Sequence, residues 1–169
     1  MSKMYLAAYL AAATAADLKW QRIPNELILF GLLTGLALRA ESGGVRGMLS
    51  GILSGVITIA VFYIFYMIGA VGAGDVKLLS VAGLTAGCTF AAYTALYSLF
   101  AAGAAALVFM VIKRQTHIRL YLLFSHIADC IRQKKLIRYS ALEQEGYLHY
   151  ALYISIGYLT ALTLGKEFR

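Results

Sequence analysis

The sequence has little charge, a single proline and only two cysteines. Charged residues make up 14% of its 169 residues and hydrophobic residues 61%, whereas a soluble domain carries about 25% charged residues. This composition excludes an ordinary water-soluble domain. Cys88 and Cys130 stand alone, which excludes a disulfide framework and a zinc site built on Cys-x-x-Cys pairs. The apolar residues form long runs instead of alternating, which argues against a β-barrel.

The long apolar runs predict an all-α, polytopic membrane protein with one domain over residues 1–169. Six transmembrane helices are expected, over residues 4–17, 25–39, 47–70, 76–88, 90–112 and 147–164. Glycines recur every four residues in the third of them, at Gly47, Gly51 and Gly55, which predicts a face for close helix packing. Residues 113–146 are basic and carry apolar residues at helical spacing, which predicts an amphipathic cytoplasmic arm.

A polar break from Asp17 to Glu26 separates the first two predicted helices. It contains Pro24, the only proline of the chain. Proline keeps the preceding residue, here Ile23, out of helical geometry and so marks a boundary. Asn25 follows and is expected to cap the second helix.

The distribution of Lys and Arg orients the predicted helices. When the Asp17 loop, the Asp75 loop and the 113–146 arm are placed on one side, most of the basic residues collect there. The positive-inside rule then places that side in the cytoplasm and both termini outside. Cytoplasmic loop basicity accounts for the net charge of +7, so no nucleic-acid partner is expected. Counting helices between Asp17 and Asp75 puts both carboxylates at the same membrane face.

The spacing alone is compatible with two interpretations of the roles of Asp17 and Asp75. Asp17 and Asp75 form a dyad in which one member ionises and the other holds its proton. Such a pair can hydrolyse an amide without a metal or cofactor. Alternatively, each aspartate caps a helix or pairs with a nearby basic residue: Lys19, Arg22 or Lys77. The three histidines are not at metal-ligand spacing, so no metal site is predicted.

Two motifs resemble a known family. Gly72-Ala73-Gly74-Asp75-Val76-Lys77 resembles the GxGD motif of the type IV prepilin peptidases and their archaeal preflagellin relatives. Asp17, followed by Arg22-Ile23-Pro24-Asn25, resembles the aspartate-then-Ile-Pro-Asn loop of the same family. A weaker match is Tyr147-Leu148-His149-Tyr150-Ala151 together with Gly157, near the last predicted helix.

The resemblance implies an aspartic endopeptidase of the inner membrane, with Asp17 and Asp75 as its catalytic pair at the cytoplasmic face. It would remove the short basic leader of prepilin-like or pseudopilin precursors, just before their hydrophobic helix. Gly72 and Gly74 would leave room for the substrate backbone, while Arg22, Pro24 and Asn25 would shape the loop. Lys77 would lower the pKa of Asp75, contact the substrate or anchor a helix end.

Larger members of that family carry a cysteine-rich domain between their first two helices. Only a short polar loop follows Asp17 here, so N-methyltransferase activity is not expected. Two other functions remain as alternatives. One is a catalytically idle membrane module that binds pilin-like helices or assembles a secretion or pilus machine. The other is a transporter with the two acids as a proton relay, although the sequence shows no inverted repeat and both acids lie at helix ends.

Overall fold

A computed structural model describes residues 2–69, 71–112 and 150–164, and these residues contain helices and no strand. The helices are α1 (Ser2–Trp20), α2 (Asn25–Ile68), α3 (Ala73–Ala86), α4 (Cys88–Ile112) and α5 (Tyr150–Leu164). The all-α prediction is confirmed for this part of the chain. The predicted arm 113–146 and the start of the last predicted helix lie outside the described residues. The single domain stays a prediction.

The prediction of six helices is not confirmed, because the second and third predicted helices form one element, α2. Its 44 residues would make a straight helix about 66 Å long. Gly44 interrupts it with non-helical angles, φ 55° and ψ −144°. A Cβ on Gly47 would collide with the main-chain oxygen of Arg39, although a straight helix holds such residues about 12 Å apart. The chain therefore reverses at Gly44, and residues 25–43 and 45–68 are the first and second arms of α2.

Two of the described helices are long and apolar enough to cross a bilayer, Asn25–Ile68 and Cys88–Phe109. Only 17% and 22% of their most apolar windows are buried inside the protein. The core helix of a soluble domain would be mostly buried, whereas these helices leave large aliphatic and aromatic side chains exposed. The exposed surface is consistent with a membrane protein.

Helix α3 lies against both arms of α2 and is the most buried element. Its residues 78–85 are all buried. On the second arm, the Cβ positions of Gly51 and Gly55 lie 3.1 Å from the Leu84 oxygen and 3.3 Å from the Leu84 Cβ, respectively. Glycine permits this approach because it has no side chain to hold the helices apart. The packing face predicted from the glycine spacing is therefore confirmed for these two positions.

The C-terminal end of α3 is held by a side chain of the first arm. Arg39 Nε donates a hydrogen bond to the main-chain oxygen of Leu84, 3.0 Å away. The last carbonyls of a helix lack partners within the helix, and a cation suits the negative end of its dipole. Gly87 then ends the helix in a conformation with φ 103° that favours glycine.

Helix α1 packs against both α5 and the first arm of α2 and runs antiparallel to each of them. Thr14 Oγ1 and Ser155 Oγ lie 2.6 Å apart between α1 and α5. On another face of α1, the Tyr9 hydroxyl donates to the oxygen of Leu27, 3.3 Å away. The end of α1 and the starts of α2 and α5 consequently lie at one end of the bundle.

Helices α4 and α5 meet through backbone contact at Gly157. A Cβ there would lie 2.6 Å from the main-chain nitrogen of Ser98, and it would also collide with the oxygen of Thr94. This contact fixes the position of α5 along the axis of α4. It thereby fixes the position of Tyr150, the first residue of α5.

Candidate active site

Asp17 lies in the last turn of α1, on a side chain that is only 6% exposed. Its main-chain oxygen accepts a hydrogen bond from the N–H of Gln21 at 2.8 Å. Gln21 has a φ of 52°, the left-handed conformation that often ends a helix. The helix therefore ends at Trp20, one turn after Asp17, and the Asp17 side chain is buried at this end of the helix.

Asp75 lies in the first turn of α3 and bonds back to the residue that precedes the helix. The N–H of Gly72 donates to Asp75 Oδ2 at 3.2 Å, and the Gly72 oxygen accepts from the N–H of Val76 at 3.2 Å. The first N–H groups of a helix have no partner within the helix. The Asp75 carboxyl satisfies one of them and is thereby oriented across the start of α3.

The two aspartates influence each other electrostatically. The pKa of Asp75 is raised from its ordinary 3.8 to about 7. Burial is the main cause, the hydrogen bond from Gly72 opposes it, and the negative charge of Asp17 adds to it. Asp75 lies outside both apolar spans. At neutral pH the pair therefore holds a proton on Asp75 in a substantial fraction of molecules. The structure thus brings together the two acids that the sequence placed at one membrane face.

The start of α3, which carries Asp75, is also joined directly to the start of α2. Lys77 Nζ donates to Asn25 Oδ1 at 3.0 Å. The prediction that Asn25 caps α2 is wrong: Pro24 precedes the helix with no side-chain cap bond, and Asn25 is the first helical residue. Its side chain reaches the start of α3 instead, where it binds a cation. Of the three roles considered for Lys77, this contact favours the anchoring of a helix end.

The two glycines of the motif differ in their surroundings. A Cβ on Gly72 would lie 2.9 Å from Asp75 Oδ2, so a side chain at this position would crowd the carboxyl. A Cβ on Gly74 would lie 3.5 Å from the Ile23 side chain, which is an ordinary packing contact. Gly72 is therefore the position where room beside the Asp75 carboxyl depends on glycine, and Gly74 packs against the loop that contains Ile23.

Arg22 and Pro24 lie in the short connection between α1 and α2. Arg22 is exposed. Pro24, with φ −59° and ψ 138°, directs the chain into α2, and its oxygen accepts from the N–H groups of Leu27 and Ile28 at 3.1 and 3.3 Å. Pro24 thus precedes α2 directly, and its part in shaping the loop stays a prediction. Among the described residues, no group of three or more His, Cys, Asp or Glu side chains is placed to hold a metal ion.

Sequence reasoning missed a third group at this end of the bundle. An ionised Asp75 acts electrostatically on the phenol of Tyr150, and the Tyr150 hydroxyl lies 3.0 Å from Ser98 Oγ. The only sequence signal for Tyr150 was its place in the weaker family match around residues 147–151. Apolar periodicity could not separate it from the other tyrosines of the chain.

Comparison with known proteins assigns the family. A model of the type IV leader peptidase family matches residues 4–111. The chain belongs to the type IV leader peptidase family. Searches among curated proteins and among solved structures gave no significant match. The type IV leader peptidase match includes Asp17 and Asp75 but does not extend to Tyr150. At this level the chain is a member of a protease family.

Proposed function

We propose that the chain is a membrane aspartic endopeptidase that cleaves the basic leader of prepilin-like or pseudopilin precursors at the cytoplasmic membrane face. One observation carries the proposal: a buried carboxyl, Asp17, and a half-buried carboxyl, Asp75, each from a separate family motif, interact at the end of the bundle where α1 ends and α3 begins. The family match over both motifs supports it.

The raised pKa of Asp75 favours one distribution of roles within the proposed pair. Asp75 is the protonated member and donates a hydrogen bond to the oxygen of the scissile carbonyl. Asp17 is the ionised member and takes a proton from a water molecule, whose oxygen attacks the carbonyl carbon. When the tetrahedral intermediate collapses, the C–N bond breaks and the proton held by Asp17 passes to the leaving nitrogen. The reaction consumes one water and needs neither a metal nor a cofactor.

The surroundings of Asp75 suit a substrate that is cut after a small residue. Gly72 places no side chain beside Oδ2, where a Cβ would lie 2.9 Å away, and a glycine before the scissile bond would let the substrate backbone approach the carboxyl. This supports prepilin-like substrates, whose leaders would end in glycine just before an apolar helix. Methyl transfer to the new N-terminus is not part of the proposal.

The proposed setting is the inner membrane, with six crossings made by α1, the two arms of α2, α3, α4 and α5. The ends that carry Asp17, Asn25, Asp75 and Tyr150 then face the cytoplasm, and the Gly44 turn faces outward. Labelling of single cysteines introduced by Lys19→Cys, Ala73→Cys and Ser42→Cys tests this arrangement. The first two should react from one side and the third from the other. Labelling of positions 19 and 73 from opposite sides would contradict it.

Cleavage by the full chain in liposomes tests the activity. The substrate is a synthetic peptide with a basic leader that ends in glycine before an apolar helix. Asp17→Asn and Asp75→Asn should each reduce kcat by at least about 100-fold, because each removes one proton-transfer group. Glu41→Gln, near the opposite end of the bundle, is the matched control and should keep full activity. Normal processing by either aspartate variant would refute the dyad, and an inactive wild type would favour the idle binding module.

A further inference from the structure

The connection between α1 and α2, residues 21–24, touches the first turn of α3 at Gly74. A Cβ on Gly74 would lie 3.5 Å from Ile23 Cδ1, 3.7 Å from its Cγ1 and 3.8 Å from its Cβ. The Ile23 side chain is half-buried and packs against the buried apolar cluster of the bundle, which includes Leu78 of α3. Ile23 therefore covers the backbone of the turn that carries Asp75.

A second side chain from the same stretch of the chain meets the same face of α3. Asn25 Oδ1 accepts a hydrogen bond from Lys77 Nζ at 3.0 Å. Pro24, between Ile23 and Asn25, has an extended backbone with φ −59° and ψ 138°, and side chains on either side of an extended residue point the same way. Gly74 and Lys77 are three residues apart, so they are neighbours on one helix face. Ile23 and Asn25 together hold this face.

Asp75 lies on a different face of the same turn. At 3.6 residues per turn, it is about 130° around the helix axis from the midpoint between Gly74 and Lys77. The apolar contact and the hydrogen bond therefore restrain the turn from a side other than the one that presents the carboxyl. Any displacement of the turn on the restrained side would move the carboxyl with it.

The same connection is bonded to the end of α1. The main-chain oxygen of Asp17 accepts from the N–H of Gln21 at 2.8 Å, and Ile23 follows two residues later. Ile23 thus lies on a short path of contacts between the two helix ends that carry the carboxyls. We propose that Ile23 is a positioning residue that holds the Asp75 carboxyl in place relative to Asp17. The inference rests on the proposed function, in which these two carboxyls act as a pair.

Shortening of the Ile23 side chain tests the proposal in the full chain, in liposomes, with the synthetic leader peptide. Ile23→Ala should reduce kcat by about tenfold or more and keep KM within about threefold, because a displaced turn misplaces the acid without removing a substrate contact. Ile23→Val keeps Cβ and Cγ1 and should stay within about threefold of the wild-type kcat. Leu18→Ala removes an exposed side chain of similar size from the end of α1 and is the matched control. An unchanged kcat in Ile23→Ala would overturn the proposal.

A second substitution should restore part of the loss. In the Ile23→Ala background, Gly74→Ala would place a Cβ 3.8 Å from the Cβ that remains at position 23, which is a packing contact. The double variant should therefore have a kcat at least about threefold higher than that of Ile23→Ala alone. An equal or lower kcat would contradict a role for this contact.

A disulfide tests the contact with a readout that does not require activity. The separation of 3.8 Å between the two Cβ positions matches the mean for disulfides, about 3.8 Å. Ile23→Cys combined with Gly74→Cys, in a background with Cys88→Ser and Cys130→Ser, should therefore form an intramolecular bond under mild oxidation. Each single-cysteine variant is a control. Thiol alkylation followed by mass spectrometry measures the yield.

The oxidised protein should cleave the peptide within about threefold of the wild-type rate, since the bond keeps the connection on Gly74. A low yield of the disulfide would overturn the proposal. An oxidised form that is inactive and regains activity on reduction would also overturn it, because Ile23 would then have to leave Gly74 during catalysis. Full activity of Asp17→Asn or Asp75→Asn would instead refute the proposed function, and the disulfide yield would still decide whether Ile23 lies on Gly74.

Discussion

Lys77 Nζ and Asn25 Oδ1 lie 3.0 Å apart, close in sequence to Asp75 and to the connection that follows Asp17. The contact connects the start of α3 to the start of α2. It is exposed, so its contribution to stability is small. Its effect should instead be seen in how the two carboxyls are held relative to each other.

Removal of this contact should reduce cleavage without unfolding the protein. Lys77→Met and Asn25→Ala should each reduce kcat/KM by about tenfold, because the two carboxyls would no longer be held in their productive geometry. The double variant should be no worse than either single one, because both remove the same interaction. Lys19→Met, at the same end of the bundle and placed over the Trp20 ring at 5.0 Å, is the matched control. Additive losses in the double variant would show that the two residues act independently.

The two motif glycines should respond differently to the same substitution. Gly72→Ala should reduce kcat by more than about tenfold, because its Cβ would lie 2.9 Å from Asp75 Oδ2 and would displace the carboxyl from its productive position. Gly74→Ala should keep activity within about threefold, since its Cβ would make an ordinary contact with Ile23. Steady-state kinetics and the thermal midpoint distinguish the two variants. Equal losses at both positions would contradict this assignment.

The raised pKa of Asp75 predicts how stability depends on pH. The folded state holds this proton up to about pH 7, whereas the unfolded state releases it near 3.8. The protonated carboxyl therefore stabilises the fold fully at low pH, and that stabilisation is lost as the pH rises through about 7. Thermal unfolding of Asp75→Asn should lack this fall, and Glu41→Gln should retain it. The same fall in Asp75→Asn would assign it to another group.

The rate of cleavage should also fall in this pH range, because Asp75 loses the proton that it is proposed to donate. The proposed mechanism requires a protonated Asp75, so kcat/KM should decline as the pH rises through about 7. The apparent value belongs to the coupled pair of aspartates and not to one residue alone. A pH–rate profile with the synthetic leader peptide measures it. Constant activity between pH 6 and 9 would exclude Asp75 as the proton donor.

Two glycines outside the site test the packing of the bundle. Gly157→Ala should destabilise the protein by about 1–3 kcal/mol, because its Cβ would meet the backbone of α4, 2.6 Å from the Ser98 nitrogen. Gly103→Ala is the matched control, since nothing lies within 4 Å of its Cβ, and it should be neutral or stabilising by up to about 1 kcal/mol. Unfolding in detergent, followed by circular dichroism, measures both. A stable Gly157→Ala protein would show that α4 and α5 can separate without cost.

The sequence predicted an all-α chain and placed the two acids at one membrane face, but it predicted few of the contacts between the helices. Apolar runs located the helices, and the count of crossings put Asp17 and Asp75 on one side. The contact of Lys77 with Asn25, the reversal of α2 at a single residue and the proximity of Tyr150 to Asp75 all depend on how distant segments meet. Periodicity reports which face of a helix is apolar and carries no information on the partner of that face.

The reversal at Gly44 also makes the length of α2 a constraint on the site. The first arm begins at Asn25, and the second arm leads into the segment before Gly72. Both arms are therefore connected to residues around the aspartates. Insertion of one residue in either arm would rotate its end by about 100° and shift it by about 1.5 Å. The separation of the two carboxyls would then change, although no inserted residue touched them. Length variation should therefore be tolerated only near Gly43 and Gly44, where a Cβ at either position meets nothing within 4 Å.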